Sequence, residues 1–257
     1  MNKVDIKDIV EISRLAGLEI LKIYKQDFEV FNKEDESPLT MADKNANDII
    51  IAKLQTLYPE IPYISEEVKN LDYSERKKWE YCWIIDPLDG TKEFVKKNGE
   101  FTVNIALVKN GKPVLGVVYI PVEDTYFFAE ENKGAFKQIG NNEPVLLEKK
   151  ADVLNKQKLK VVASRSHLSK EVEQYVENLK TAGKEIEFVS AGSSLKFCLV
   201  AEGKADIYPR LAPTMEWDTA AAHIVCTEAG IIVVDNETKE ELKYNKEDLL
   251  NPYFIVK

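Results

Sequence analysis

Histidine and cysteine are scarce in this 257-residue chain, and their scarcity excludes several kinds of active site. The sequence has only two histidines, His167 and His223, so a histidine-rich zinc site or a two-histidine phosphatase is hard to assemble. The three cysteines, Cys82, Cys198 and Cys226, lie far apart and form no Cys-x-x-Cys pair, a pattern that is typical of the reducing cytosol. Any metal chemistry must therefore use oxygen ligands.

Long apolar runs and an excess of positive charge are also missing. No run approaches the roughly 18 to 20 residues that a membrane-spanning helix needs, and the amino terminus begins as a charged helix pattern rather than a signal sequence. The chain has 35 Lys and Arg against 44 Asp and Glu, a formal charge of −9, which argues against coating of nucleic acid. We therefore expect a soluble cytosolic protein that binds small molecules.

Apolar periodicity predicts helices and strands in the first half of the chain. Amphipathic helices are predicted at residues 4–24 and 42–58, and the polar stretch 31–40 between them, which contains Pro38, is predicted to be a loop or a short ribbon. Predicted strands cover residues 61–64, 81–85, 102–108, 113–120 and 125–129. The Asn110-Gly111 pair predicts a hairpin turn.

The second half changes to alternating strands and helices after a polar linking stretch at 141–155. Strands are predicted at 159–163, 205–208 and 231–234, and helices at 170–182, 194–202 and 216–229. We therefore divide the chain into an α+β half at 1–140 and a smaller α/β half at 141–257 that completes the active site. The expected fold is a layered arrangement of helices and sheets.

The most informative segment is a string of two carboxylates in a tight turn, Asp86-Pro87-Leu88-Asp89-Gly90-Thr91, which follows a buried apolar strand. Pro87 and Gly90 favour the turn. In such a turn the side chains of Asp86 and Asp89 and the carbonyl of Leu88 can converge on one small volume. This arrangement suits a hard divalent cation.

Further carboxylates lie at the ends of other predicted elements. Glu66 and Glu67 end a strand, and Asp218 lies in the first turn of a predicted helix, where acidic side chains are favoured. Each alone is equally typical of a solvated loop or a helix start. If Glu66, Asp86, Asp89 and Asp218 met in one cleft, their charge of about −4 would be strongly repulsive without cations. Two Mg²⁺ would balance it and leave coordination positions for a phosphate and a water, which favours a two-metal phosphomonoesterase.

Three strings occur in the order found in the inositol monophosphatase superfamily of magnesium-dependent, lithium-sensitive phosphatases: Ser65-Glu66-Glu67, the Asp86–Thr91 string, and Glu216-Trp217-Asp218-Thr219-Ala220-Ala221. The chain therefore resembles this superfamily, which implies the αβαβα sandwich shared with fructose-1,6-bisphosphatase. Strings at 37–43, 164–167 and 192–198, the last running on to Tyr208-Pro209-Arg210, resemble its bacterial 3'(2'),5'-bisphosphate nucleotidases. The resemblance extends over nearly the whole chain.

The resemblance implies roles for the matched residues. The metal ligands it implies are Glu66, Asp86, the carbonyl of Leu88, Asp89 and Asp218, with Asp86 bridging two Mg²⁺ ions. Asp43 and Thr91 would orient and deprotonate the attacking water, although Asp43 could equally be a helix N-cap. Implied substrate-binding residues are Glu66, Leu88, Asp89, Gly90, Thr91, Ser193, Lys196, Arg210 and Asp218. Arg165 is a further candidate cation, Ser194 a further hydroxyl, and Tyr208 either stacks on a base or belongs to the core.

The activity implied is removal of the 3'-phosphate from adenosine 3',5'-bisphosphate to give AMP and phosphate, with its sulfated precursor as a second substrate. The same chemistry on inositol monophosphate or a sugar phosphate is the alternative, and spacing alone does not separate these substrates. A non-catalytic sensor of metal and nucleotide is a third hypothesis, but it would not need the water-activating pair Asp43 and Thr91. The resemblance places the enzyme in the cytosol, free or peripherally attached to the inner face of the cell membrane. No sequence feature marks an oligomer interface.

Overall fold

The computed structural model describes residues 4–26, 37–69, 71–148, 155–163 and 169–257. The string at 164–167, with the candidate cation Arg165, lies outside the described residues, as does most of the predicted loop at 31–40. In the described part of the chain, no helix is both long and apolar enough to cross a membrane.

Two helices at the start of the chain cover one face of the main sheet. Helix α1, Ile6–Tyr24, begins after Asp5, whose side chain accepts a hydrogen bond from the N–H of Lys7, and buries apolar residues at three- and four-residue spacings. Helix α2, Pro38–Leu57, begins four residues earlier than predicted, because Ser37 caps it and Pro38 occupies its first turn. Proline fits this position since its missing N–H has no partner there. The prediction of a loop was therefore wrong for residues 38–40.

The main sheet has seven strands in sequence order. They are β1 Tyr63–Ser65, β2 Tyr81–Asp89, β3 Thr102–Lys109, β4 Lys112–Ile120, β5 Thr125–Glu130, β6 Gly134–Ile139 and β7 Val145–Leu146. Strands β1 and β2 are parallel and the other pairs are antiparallel. Along the chain, the short helix α3, Tyr73–Arg76, precedes β2, and the short helix α4, Thr91–Val95, follows it. The predicted hairpin is confirmed, with positive φ at both Asn110 and Gly111.

A second layer of strands is built from the rest of the chain. Strands β8 Lys158–Ala163 and β9 Glu185–Ser190 are parallel, while β10 Tyr208–Arg210, β11 Val233–Asp235 and β12 Phe254–Val256 form an antiparallel ladder with β12 in the middle. A bridge between Val161 and Ile207 joins the two ladders. The remaining helices are α5 Lys170–Thr181, α6 Leu195–Ala201 and α7 Ala220–Glu228.

The described residues form three apolar cores within five layers. One core lies between α1, α2 and one face of the main sheet. A second is enclosed by the opposite face of that sheet, α6, α7 and the second layer of strands. The third lies between the second layer and α5. This order of helix, sheet, helix, sheet, helix confirms the αβαβα prediction.

Several predicted elements differ in the structure. The predicted helix at 216–229 is a 3-10 turn, Glu216–Asp218, followed by α7, because Thr219 takes non-helical angles (φ −126°, ψ −32°). Strands β6, β7, β9 and β12 were not predicted; β7 and β12 have only two and three residues, and β9 carries Glu185 and Glu187. Predicted strands at 205–208 and 231–234 begin two or three residues later, as β10 and β11. Strand β7 belongs to the main sheet although it follows residue 140; the division of the chain there stays a prediction.

Candidate active site

The carboxylate string lies at an irregular end of β2. The pairing of β2 with β3 shifts register between Asp86 and Asp89, and the N–H of Leu88 donates to Oδ1 of Asp86 at 3.0 Å. Gly90 then has φ of +100°, and a Cβ there would lie 3.1 Å from the carbonyl oxygen of Glu100. The turn therefore needs a glycine, and it sends the chain directly into α4.

Three carboxylates from three separate segments meet at this place. Glu66 follows β1, Asp86 belongs to β2 and Asp218 ends the 3-10 turn before α7; one oxygen from each lies within 4.8 Å of the others. Asp86 is 1% exposed, and its Oδ2 is buried with no hydrogen-bond partner in the described part of the chain. Asp89 is outside this set of three, and its Oδ2 accepts hydrogen bonds from the N–H and hydroxyl of Ser194.

The turn that carries Asp218 is anchored by buried charge. Oδ2 of Asp218 accepts the N–H of Met215 at 2.8 Å, which closes the turn on itself. Glu216 is fully buried and accepts the N–H of Asn245 and both the N–H and the ammonium group of Lys246. Sequence reasoning placed Asp218 in the first turn of a helix. That was wrong, because the helix begins only at Ala220.

The electrostatics of this cluster favour a bound cation. Burial, followed by the charges of Asp89 and Glu66, raises the pKa of Asp86 well above its ordinary value. Burial and the charge of Asp89 raise the pKa of Asp218 to about 7, and burial together with Glu67 raises that of Glu66. Each shift shows that a further negative charge is costly here. Oxygen ligands with an unpartnered buried Oδ2 fit a hard divalent cation.

Asp43 lies beside the cluster on α2. It is 7% exposed, and burial, together with the charges of Glu67 and Glu66, raises its pKa to about 8. The alternative of a helix N-cap is excluded, because Ser37 caps α2 and Asp43 lies in its second turn. Thr91, the other member of the predicted water-activating pair, opens α4 and lines the adjoining cavity.

A cavity of about 280 Å³ adjoins the cluster. It brings together the predicted substrate-binding residues Asp89, Gly90, Thr91, Ser193, Lys196, Arg210 and Asp218. The predicted residues Glu66 and Leu88 are not in its wall, and neither are Asp43 and Asp86. Carboxylates and cations from distant parts of the chain therefore share one cavity.

Lys196 and Arg210, the two predicted cations in the cavity wall, differ in their surroundings. Lys196 is 9% exposed, its ammonium group donates to the carbonyl of Ser193 at 3.1 Å, and burial lowers its pKa although Asp89 opposes the shift. Arg210 donates through Nη2 to the carbonyl of Pro213, while its Nε is buried and has no hydrogen-bond partner among the residues that the structure describes. Tyr208 is packed edge-on against Phe197, with ring centroids 5.3 Å apart, so it belongs to the core while also lining the cavity.

Several residues of the site were missed or misassigned. Glu93 and Glu100 also line the cavity, and Glu100 accepts the N–H of Gly192 at 2.8 Å. The Ser194 hydroxyl does not line the cavity; it lies 2.7 Å from Asp89 and accepts from the amide of Asn104. No local signal in the sequence identifies these contacts, because the partners are distant in the chain.

Comparison with known proteins places these features in a family. The model of the inositol monophosphatase family matches residues 2–256. The chain is 44% identical over 253 residues to the 3'(2'),5'-bisphosphate nucleotidase CysQ of Salmonella typhimurium, covering 98% of each chain. It is also 44% identical over 250 residues to CysQ of Escherichia coli K12, covering 96% of this chain and 97% of that one.

Solved structures agree with this assignment. The crystal structure of CysQ from Bacteroides thetaiotaomicron has 46% sequence identity and a TM-score of 0.88, with 98% of this chain and 96% of that chain covered. Inositol monophosphatase II from Staphylococcus aureus has the same fold, with a TM-score of 0.78, 21% identity and coverage of 97% and 89%.

Proposed function

The chain belongs to the inositol monophosphatase family, and from this premise we propose that it is a Mg²⁺-dependent 3'(2'),5'-bisphosphate nucleotidase. Its substrate would be adenosine 3',5'-bisphosphate, and its products AMP and phosphate. The nearly full-length identity to CysQ proteins supports this activity. The sulfated precursor of that nucleotide offers the same 3'-phosphate and is proposed as a second substrate.

The observation that carries the substrate proposal is the mixed charge of the cavity. A nucleoside bisphosphate has one phosphate to be cleaved and a second phosphate to be held. The carboxylates Asp89 and Asp218 stand at the place where cations would receive the first phosphate, while Lys196 and Arg210 offer positive charge for the second. Glu93 and Glu100 add acceptors for the hydroxyl and amino donors of a nucleoside.

We propose that two or more Mg²⁺ ions are held by Glu66, Asp86, the carbonyl of Leu88, Asp89 and Asp218. Bound Mg²⁺ would supply Lewis acidity, which lowers the pKa of water and neutralises charge on the phosphate. The raised carboxylate pKa values and the unpartnered Oδ2 of Asp86 support this ligand set.

Residues of the chain would then accept the proton of the attacking water and bind the phosphate. Asp43, whose buried carboxylate has a pKa of about 8, is proposed to accept the proton of the attacking water, either directly or through the hydroxyl of Thr91. Gly90 and Thr91 line the cavity, and their N–H groups are proposed to donate to phosphate oxygens.

We further propose that the enzyme acts in the cytosol on this small-molecule nucleotide; its three buried free thiols suit a reducing compartment.

The deciding experiment compares phosphate release from three substrates in the presence of Mg²⁺. We expect adenosine 3',5'-bisphosphate to be hydrolysed with a much higher kcat/KM than inositol 1-phosphate or fructose 1,6-bisphosphate. Faster release from inositol 1-phosphate would replace the nucleotidase with an inositol phosphatase. Binding of the nucleotide without release of phosphate would favour the sensor instead.

A further inference from the structure

Ser194 joins the carboxylate cluster to the second half of the chain. Its N–H donates to Oδ2 of Asp89 at 2.6 Å, and its hydroxyl lies 2.7 Å from the same oxygen. The hydroxyl also lies 3.0 Å from the backbone carbonyl of Asp218. Ser194 is therefore in contact with two members of the proposed metal site that come from opposite halves of the chain.

The direction of the hydroxyl proton follows from its third neighbour, Asn104. The side-chain amide of Asn104, on β3, donates through Nδ2 to the Ser194 oxygen at 2.8 Å. A hydroxyl has one proton, so with this donor on its oxygen Ser194 must direct that proton at either Asp89 or the Asp218 carbonyl. The charged carboxylate is nearer, and it forms the stronger bond.

The same network favours one orientation of the Asn104 amide. In the opposite orientation its Oδ1 would face the hydroxyl oxygen beside the negative carboxylate of Asp89. In the orientation present, Nδ2 faces the hydroxyl, and Oδ1 is buried with no hydrogen-bond partner among the described residues. Asn104 and Ser194 are each 1% exposed, so water does not compete for these bonds and they act at low dielectric.

We propose that Ser194 is a positioning residue for Asp89. By holding Oδ2 with two donors, it leaves Oδ1 as the oxygen through which Asp89 reaches a cation beside Glu66, Asp86 and Asp218. Ser194 also precedes α6, which carries Lys196, so the same contacts fix the position of the proposed substrate cation relative to the carboxylates. This inference rests on the metal-binding part of the proposed function.

The test measures Mg²⁺ binding by calorimetry on the full chain without nucleotide. Residues that orient a metal ligand typically change metal affinity about 10- to 100-fold when removed, so Ser194→Ala should weaken Mg²⁺ binding by such a factor. The matched control is Ser13→Ala. Ser13 is also fully buried and donates to the carbonyl of Val10 at 2.8 Å, but it lies on α1 away from the carboxylates. That variant should bind Mg²⁺ like the wild type.

Ser194→Cys keeps a side-chain donor at this position but a weaker one, and it decides the question if Ser194→Ala does not fold. Wild-type Mg²⁺ affinity in a folded Ser194→Ala or Ser194→Cys variant would overturn the proposal, as would an equal loss in Ser13→Ala. If the wild type itself failed to bind Mg²⁺, the proposed metal site would be overturned as well. This outcome can be distinguished from the failure of the Ser194 proposal alone, in which the wild type binds Mg²⁺. Loss of hydrolysis of one nucleotide with intact Mg²⁺ binding would concern only the proposed substrate.

Discussion

Replacing Asp86 with asparagine should abolish turnover and yet stabilise the metal-free protein. Asp86→Asn keeps the shape of the side chain and removes one negative charge from a cluster whose oxygens lie within 4.8 Å of one another. At that distance and an effective dielectric constant of about 20, one pair of charges repels by about 3.5 kcal/mol. The wild type relieves part of this by binding protons, as the raised pKa of Asp86 shows. We therefore expect the variant to gain at least about 2 kcal/mol at pH 8, or about 4 to 8 °C in Tm.

The pH dependence of the metal-free wild type has a definite sign. The pKa of Asp218 is about 7 in the folded protein against an ordinary 3.8, so the folded state binds the proton more tightly than the unfolded state. Its contribution, on the order of 4 kcal/mol, is fully present below about pH 4 and is lost as the pH rises to about 7. In chelator the wild type should therefore melt at a lower temperature at pH 8 than at pH 5.5. Asp86→Asn should reduce this difference in melting temperature, and added Mg²⁺ should raise the melting temperature of the wild type at pH 8.

The assay is thermal denaturation followed by circular dichroism, with and without chelator, beside phosphate release at saturating Mg²⁺. Asp206→Asn is the matched control. Asp206 is also buried, at 4% exposure, but it accepts hydrogen bonds from the ammonium group of Lys156 and the N–H of Lys160. Its replacement should destabilise the protein. A metal-free Asp86→Asn no more stable than wild type at pH 8, or one that keeps more than a tenth of the wild-type kcat, would refute the reasoning.

Three other outcomes follow from the proposed site. Asp43→Asn should lower kcat by about 10² to 10⁴ with little change in Mg²⁺ affinity by calorimetry; a large loss of affinity would make Asp43 a ligand. Li⁺ at millimolar or lower concentration should inhibit phosphate release where equal Na⁺ does not, and indifference to Li⁺ would contradict the proposed metal arrangement. Lys196→Ala or Arg210→Ala should lower kcat/KM for the bisphosphate about 10- to 100-fold but barely affect a small phosphate ester, whereas equal losses on both would assign these residues to the fold.

The parts of the fold that the sequence predicted are those with local causes. The periodicity of α1 and the Asn110-Gly111 turn depend on neighbouring residues alone. The parts that it did not predict depend on distant partners. Among the described strands, β9 pairs with β8 alone, and it carries Glu185 and Glu187. Because these charged residues interrupt the apolar pattern, the sequence did not predict a strand here. Thr219 interrupts a run of residues that otherwise has helical character, because Glu216 is held by the distant segment at 245–246.

The site divides in the same way. The sequence identified the Asp86–Thr91 string because its turn depends on neighbouring residues and because the string matches that of a known family. The contact between Ser194 and Asp89 could not, since 105 positions separate them. The same is true of Gly192, where a Cβ would lie 2.6 Å from Cγ of Glu93. This glycine belongs to the string before a predicted helix, and the wall of the cavity needs it.

This division bears on how substrate preference arises. A cluster of carboxylates with bound cations can receive the phosphate of any ester, because it contacts only the phosphate and the water. Inositol monophosphate has no second phosphate, so cations placed for one would be useless to it and costly to bury. Lys196 is nevertheless nine-tenths buried and close enough to Asp89 for that charge to oppose the lowering of its pKa. An anionic part of the substrate would pair with this buried ammonium group, so α6 and β10, rather than the carboxylate string, should determine which phosphate ester is cleaved.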